Sequence, residues 1–237
     1  MPGERSLIVN ADDLGLSAQT NRGIFEAHEH GIVTSASLMV RRAAAAEAAE
    51  QARAYSRFSI GLHVDLGDWS LENGQWRQTS EIVPLNDVAA VEAEILRQLQ
   101  SFEQLSGRPP THLDSHHNVH RDNSLCSVFR KIARQLDVPL RNFNRGVKFC
   151  GAFYGEHDGR LVLEWISSEN LRRIIRELPD GVSELACHPG LDSELASDYR
   201  EQRPQEVRAL CDPAVRAELE REGVVLRSFA DLAAAAN

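Results

Sequence analysis

No run of apolar residues approaches the roughly 18 that a membrane-spanning helix needs, and the opening MPGERSLIVN has no long apolar segment of the kind a signal peptide carries. The expectation is a soluble, cytoplasmic protein with no membrane partner. Basic runs are missing as well. With 26 Lys and Arg against 35 Asp and Glu the net charge is −9 and the pI is near 5.5, so a nucleic acid would have to bind against the overall field. Cysteine is sparse: Cys126, Cys150, Cys187 and Cys211 are scattered without a C-x-x-C pair. That pattern suits free thiols in a reducing compartment better than a disulfide frame or a zinc knot. Internal repeats are absent, and the one biased tract is an Ala-rich segment near residue 45.

What is present reads as a single α/β domain over residues 1–237, since 237 residues with 42% hydrophobic content can bury one substantial core. Apolar periodicity predicts strands at 7–11, 31–40, 59–66, 111 onward, 138–143, 182–189 and 224–229. Helices are expected between them: one capped by Ser17 and running to about Glu29, then 43–54, 87–105, 123–136 and 168–177, with a short helix at the end. Strict alternation of strand and helix implies parallel pairing through right-handed crossovers. About seven mostly parallel strands in a chain of this size favour a TIM-like barrel over an open doubly wound sheet. Two segments, 67–86 and 144–164, are too long for ordinary connections and are expected at the barrel mouth.

Four expected strands end in chemistry: NADD, GLHVD, HLDSHH and ACHPG. In parallel α/β folds the carboxyl ends of the strands share one face, so these stretches can converge. The adjacent Asp12 and Asp13 repel one another, and a strand end has little reason to choose them unless something nearby wants negative charge; a charge pair at a helix N-terminus is the plainer reading. In THLDSHHNVH, strand alternation puts His112, Asp114, His116, Asn118 and His120 on one face. Four imidazoles in nine residues cannot all be protonated, and a divalent cation that accepts neutral imidazole and carboxylate relieves both clusters. His63 taken alone reads equally as a core histidine.

NADDLGLS, NRGI at 21–24, GIVTSASLMV, GLHVDL, THLDSHHNVH, FYGE at 153–156, ACHPG and LRSFADL, in this order and spread from residue 7 to about 232, together resemble the YdjC-like, ChbG-type carbohydrate deacetylases. The resemblance implies a distorted (β/α) barrel, metal-dependent removal of acetyl groups from N-acetylated sugars, Mg²⁺ or a similar divalent ion such as Zn²⁺, and a homodimer. Carried over residue by residue, it puts the metal on Asp13, His63 and His116. The chain departs from the family's three consecutive His before Val, with Asn118 in the third place, which removes a proton relay there but no metal ligand.

The mechanism expected from this set has Asp12 as general base for a metal-activated water and His188 as the acid for the leaving amine, with backbone N–H groups helping to hold the oxyanion. The two Asp roles are interchangeable at this level, and His188 also reads as a strand-end residue packed before Pro189. Trp69, Trp76, Phe153 and Tyr154 are candidates to stack on sugar faces or to plug the mouth, and Asp114, Arg145 and Lys148 are candidates for hydroxyl contacts or for support of the ligands. Two rivals remain. A non-haem oxygenase could use His63, Asp65 and a distal His as its triad, and an inactive barrel could simply bind acetylated sugar.

Overall fold

The structure is a computed structural model that describes residues 3–72, 75–157, 160–191 and 201–235. Its spine is β1 (Arg5–Leu14), in which Ser6 to Leu14 are all buried. A strand covered on both faces must be apolar throughout, and the LIVNA run is the sequence form of that requirement. Ser17 then caps α1 (Ala18–Glu29), its hydroxyl accepting from Thr20 N at 3.0 Å. The alternation continues through β2 (Ser35–Leu38), α2 (Ala45–Ala52) and β3 (Ser59–Val64). The long connection after β3 is a hairpin of β4 (Gly67–Glu72) and β5 (Gln75–Glu81).

Next come α3 (Val88–Ser106), capped by Asp87 and ended by Gly107 at φ 72, then β6 (Leu113–Ser115) and α4 (Cys126–Leu136). The other long connection holds β7 (Val147–Cys150), a two-residue hairpin of β8 (Glu156–His157) and β9 (Arg160–Leu161), and a 3-10 turn at Leu163–Ile166. The chain closes with α5 (Ser168–Arg176), β10 (Gly181–Cys187), α6 (Gln202–Leu210), α7 (Pro213–Glu222), β11 (Val224–Leu226) and α8 (Phe229–Ala235).

The seven-stranded sheet runs β6-β3-β2-β1-β10-β7, with β11 also paired to β1, and every pairing is parallel. It curls into a distorted (β/α) barrel. β10 accompanies β1 from Arg5 to Ala11, while the other flank of β1 is shared, β11 at Arg5–Leu7 and β2 from Asn10. The strand count matches the sequence reading, but the fifth strand does not lie at 138–143. There the chain makes one bridge, Leu113 to Leu140, and Asn142 at φ 65 turns it away. The paired strand is β7, inside the segment expected to be a loop. Among the described residues no helix is long and apolar enough to cross a membrane.

Candidate active site

The carboxyl ends of β1, β3, β6 and β10 surround a cavity of 770 Å³. Plain strand alternation would send Asp12 and Asp13 to opposite faces of the sheet. Instead the β1–β2 register breaks between Ala11 and Leu14 and Asp13 takes φ 66, a left-handed conformation that costs a non-glycine residue about 1 kcal/mol or more. Both carboxylates line the cavity as a result.

Each carboxylate has its own arginine. Arg141 Nη1 and Nη2 donate to Asp12 Oδ2 and Oδ1 at 2.6 and 2.7 Å, its Nε donates to Glu184 Oε1 at 2.7 Å, and its Nη2 lies 2.9 Å from Asp114 Oδ2. Asn10 Nδ2 also donates to Asp12 Oδ1 at 2.9 Å. Arg203, from α6, donates from Nη2 to Asp13 Oδ2 at 2.6 Å. Burial pushes both Asp pKa values up, but the surrounding positive groups together outweigh it: Arg141, with His63, holds Asp12 below the usual carboxylate range, and Arg203, with His116 and His63, holds Asp13 well below it. Glu184 is different: burial raises it to about 7 despite Arg141.

The other oxygen of Asp13 defines the centre. Oδ1 is buried and takes no hydrogen bond, with His116 Nδ1 at 3.1 Å and His63 Nε2 at 3.5 Å. The far nitrogen of each ring faces another carboxylate, His63 Nδ1 at 2.7 Å from Asp114 Oδ1 and His116 Nε2 at 3.4 Å from Asp68 Oδ1. A carboxylate is acceptor-only, so it holds the far N–H and turns the lone pair of the near nitrogen toward Asp13. Burial opposes a proton on His63, yet Asp114 and its neighbours raise it to about 10; the cluster calls for positive charge. Asp13, His63 and His116 present ligand atoms within 4.8 Å of one another. One carboxylate and two imidazoles with a buried, unbonded oxygen fit a divalent cation of the Mg²⁺ or Zn²⁺ type.

The HLDSHHNVH stretch corrects the sequence reading in part. Only Leu113–Ser115 is strand, and residues 116–121 form a 3-10 turn with His117 at φ 52 and Asn118 at φ 53. Alternation therefore holds for His112 and Asp114, which both reach Ser37 Oγ at 3.1 and 2.6 Å. It fails beyond the strand: His120 packs away from the cavity against Ser115 Oγ at 2.6 Å, and Asn118 stands exposed at the rim. Asp114 is fully buried behind His63 and is not among the cavity-lining residues.

His188 follows β10 and brings Nε2 to 3.7 Å from Asp12 Oδ2. Burial lowers its pKa although Asp12 opposes the shift. Its backbone N–H donates to buried Glu206. Trp69, from the β4–β5 hairpin, and Tyr154 both line the cavity, their rings 5.0 Å from His117 and 5.7 Å from His188. Phe153 is buried in its wall. Arg145 is exposed and outside the lining, because the turn at Asn142 carries it off, and Lys148 donates to Asp180 O at the far end of β10. The Trp76 side chain lies outside the described residues. Asp65 pairs with Arg42 at 2.9 Å and accepts from Gly67 N, so it is engaged away from the two imidazoles that an oxygenase triad would require it to join.

Arg141, Glu184, Arg203, Glu206 and Asp68 were not singled out from the sequence. Two carried a signal: Arg141 in VPLRNF and Glu184 in VSELAC are charges inside apolar strand patterns, which buried pairing explains. Arg203 and Glu206 sit in EQRPQEVRAL, where charge looks like an ordinary solvated helix face.

The YdjC-like protein family model matches residues 6–221. A chitooligosaccharide deacetylase of Serratia marcescens is 34% identical over 257 residues, spanning 97% of this chain and 100% of that one. A carbohydrate deacetylase of Geobacillus stearothermophilus is 34% identical over 246 residues, spanning 95% and 97%. Among solved structures, a protein of Enterococcus faecalis V583 with a proposed role in cellobiose-phosphate cleavage superposes with a TM-score of 0.78 at 28% identity, covering 97% of this chain and 99% of that one. The family 4 carbohydrate esterase of Streptomyces lividans, at 15% identity, shares the fold with a TM-score of 0.54 over 94% and 91%. By sequence over almost its whole length and by a barrel of the same build, the chain belongs to the YdjC-like protein family.

Proposed function

We propose that the protein is a metal-dependent deacetylase that hydrolyses the acetamide of a small N-acetylated saccharide of the diacetylchitobiose kind. The observation that carries this reading is Asp13 Oδ1, buried without a hydrogen bond between two imidazoles at the floor of a 770 Å³ cavity. Such a volume lies within the range of small-ligand sites. The names of the 34%-identical relatives supply the substrate class.

Asp13, His63 and His116 would hold the cation, with Mg²⁺ the first choice and Zn²⁺ the second. Bound there, it would acidify a water and polarise the acetyl carbonyl. Asp12 takes the proton of the attacking water; the two-pronged grip of Arg141 keeps it ionised and aimed into the cavity. His188, kept neutral by burial, receives that proton across the 3.7 Å gap from Asp12 and passes it to the nitrogen that departs. Trp69 and Tyr154 offer ring faces to the sugar, and Asp114 keeps His63 in register. The whole domain, 1–237, acts as a cytoplasmic enzyme.

The test is acetate release from N,N′-diacetylchitobiose by chelator-treated protein, with Mg²⁺, Zn²⁺ or Fe²⁺ restored singly. Release that returns with an ion and is absent in Asp13→Ala and His116→Ala supports the proposal. Unimpaired release after chelation, or release retained in both variants, overturns it.

A further inference from the structure

Two motifs hold glycines that the reaction does not use, NRGI and ACHPG. They meet in space. A Cβ on Gly23 of α1 would stand 2.4 Å from Gly190 Cα, and one on Gly190 would stand 3.0 Å from Cδ of Arg203. Gly190 N donates to Arg203 O at 3.3 Å and Leu191 N to Gln19 O at 3.1 Å. The start of α1, the turn after β10 and the first turn of α6 thus meet around Gly190, whose missing side chain leaves room for that of Arg203. This arrangement lets the buried Arg203 side chain run over Gly190 and deliver Nη2 to Asp13 Oδ2 at 2.6 Å, with Nη1 3.3 Å from the His188 carbonyl.

The two arginines treat the adjacent carboxylates differently. Arg141 donates to both oxygens of Asp12, and Asn10 donates to one of them as well. Arg203 engages Asp13 through Oδ2, and Oδ1 faces the two imidazoles without a hydrogen bond.

We propose that Arg203 is a positioning residue that restricts Asp13 to a single ligating oxygen and, by sharing its charge, keeps the bound cation weakly neutralised and therefore strongly electrophilic. This rests on the reading that Asp13, His63 and His116 hold the ion. Removing the guanidinium frees Oδ2 and leaves the full carboxylate charge to the cation. The ion then binds more tightly and the acetyl carbonyl is polarised less. A purely structural arginine predicts the opposite: a loosened site that binds the ion more weakly.

The experiment measures the dissociation constants of Mg²⁺ and Mn²⁺ by chelator competition, together with the rise in thermal unfolding temperature each ion gives, for the wild type, Arg203→Gln, Arg203→Lys and Asp13→Ala. For Arg203→Gln the expected result is a lower unfolding temperature without ion, a larger ion-induced rise, a dissociation constant reduced about tenfold and a kcat reduced about tenfold or more with KM little changed. Arg203→Lys, which keeps the charge, stays near the wild type. Should Arg203→Gln give no folded protein, Arg203→Met, which keeps the apolar stem and removes the charge, takes its place, and tighter ion binding is again expected. Equal or weaker ion binding in Arg203→Gln, or in the variant that replaces it, overturns the proposal while leaving the ligand assignment intact. Ion binding that survives Asp13→Ala removes the assignment itself, and the proposal with it.

Discussion

Replacing Arg141 by Met keeps an apolar stem in the barrel and removes the charge that Asp12, Asp114 and Glu184 share at 2.6 to 2.9 Å. Breaking a buried ion pair by deleting one partner costs about 3–5 kcal/mol. The lower end applies here, for two reasons. Glu184 is already pushed to about 7 by burial and takes up a proton readily, while Asp12 and Asp114 retain donors in Asn10 and Ser37. A loss of about 3 kcal/mol lowers the unfolding temperature of a domain of this size by roughly 6–12 °C. The pH dependence carries the reasoning further. In the wild type, burial pushes Asp12 and Asp114 up, but Arg141 holds both below the usual range, so their pairing stabilises the fold above about pH 4 and is lost as the pH falls. Without Arg141, only His63 and the weaker remaining partners oppose burial, so the folded-state pKa values of Asp12 and Asp114 rise and the stability their ionised forms give at higher pH shrinks. The deficit between the two proteins is therefore largest near pH 7 and shrinks toward pH 4. Urea unfolding followed by circular dichroism at both pH values measures it. A deficit under about 1 kcal/mol at pH 7, or one of equal size at pH 4, would refute the argument.

Asp12→Asn should cut deacetylation by a factor of about 10²–10⁴ while leaving the ion's dissociation constant near the wild-type value, measured by initial rates and chelator competition. Asp114→Ala removes the acceptor that orients His63; ion affinity is expected to fall by about 10- to 100-fold, a change that titration calorimetry resolves. Gly23→Ala places a Cβ 2.4 Å from the Gly190 backbone and should cost roughly 1–3 kcal/mol of stability, read from the denaturant midpoint.

The sequence made the architecture legible because a buried parallel strand must be apolar along its whole length and each helix must alternate with it. LIVNA, SIGLHV and the capped helix after Ser17 follow that rule and occupy the expected positions. VPLRNF obeyed it too and was still not the paired strand. Arg141 there is drawn to three carboxylates of the barrel interior, and Asn142 turns the chain at φ 65. Local pattern records what a residue prefers, whereas the pairing of distant charges decides where a segment ends.

The site divides along the same line. Which residue types gather at the strand ends was readable, since NADD, GLH, HLDSHH and ACHPG each close an apolar run and parallel strands share one end. How they face was not. Asp12 and Asp13 come to one cavity through a register break and a left-handed residue that no alternation rule contains, and HHNVH leaves the strand for a turn. The two arginines that separate the adjacent carboxylates arrive from positions 129 and 190 residues away from them. The sequence by itself determined the chemistry available at the barrel mouth, because side-chain type and strand period are local properties. Only the tertiary structure decided which oxygen faces which cation, because that depends on Coulomb energies between groups brought together by folding.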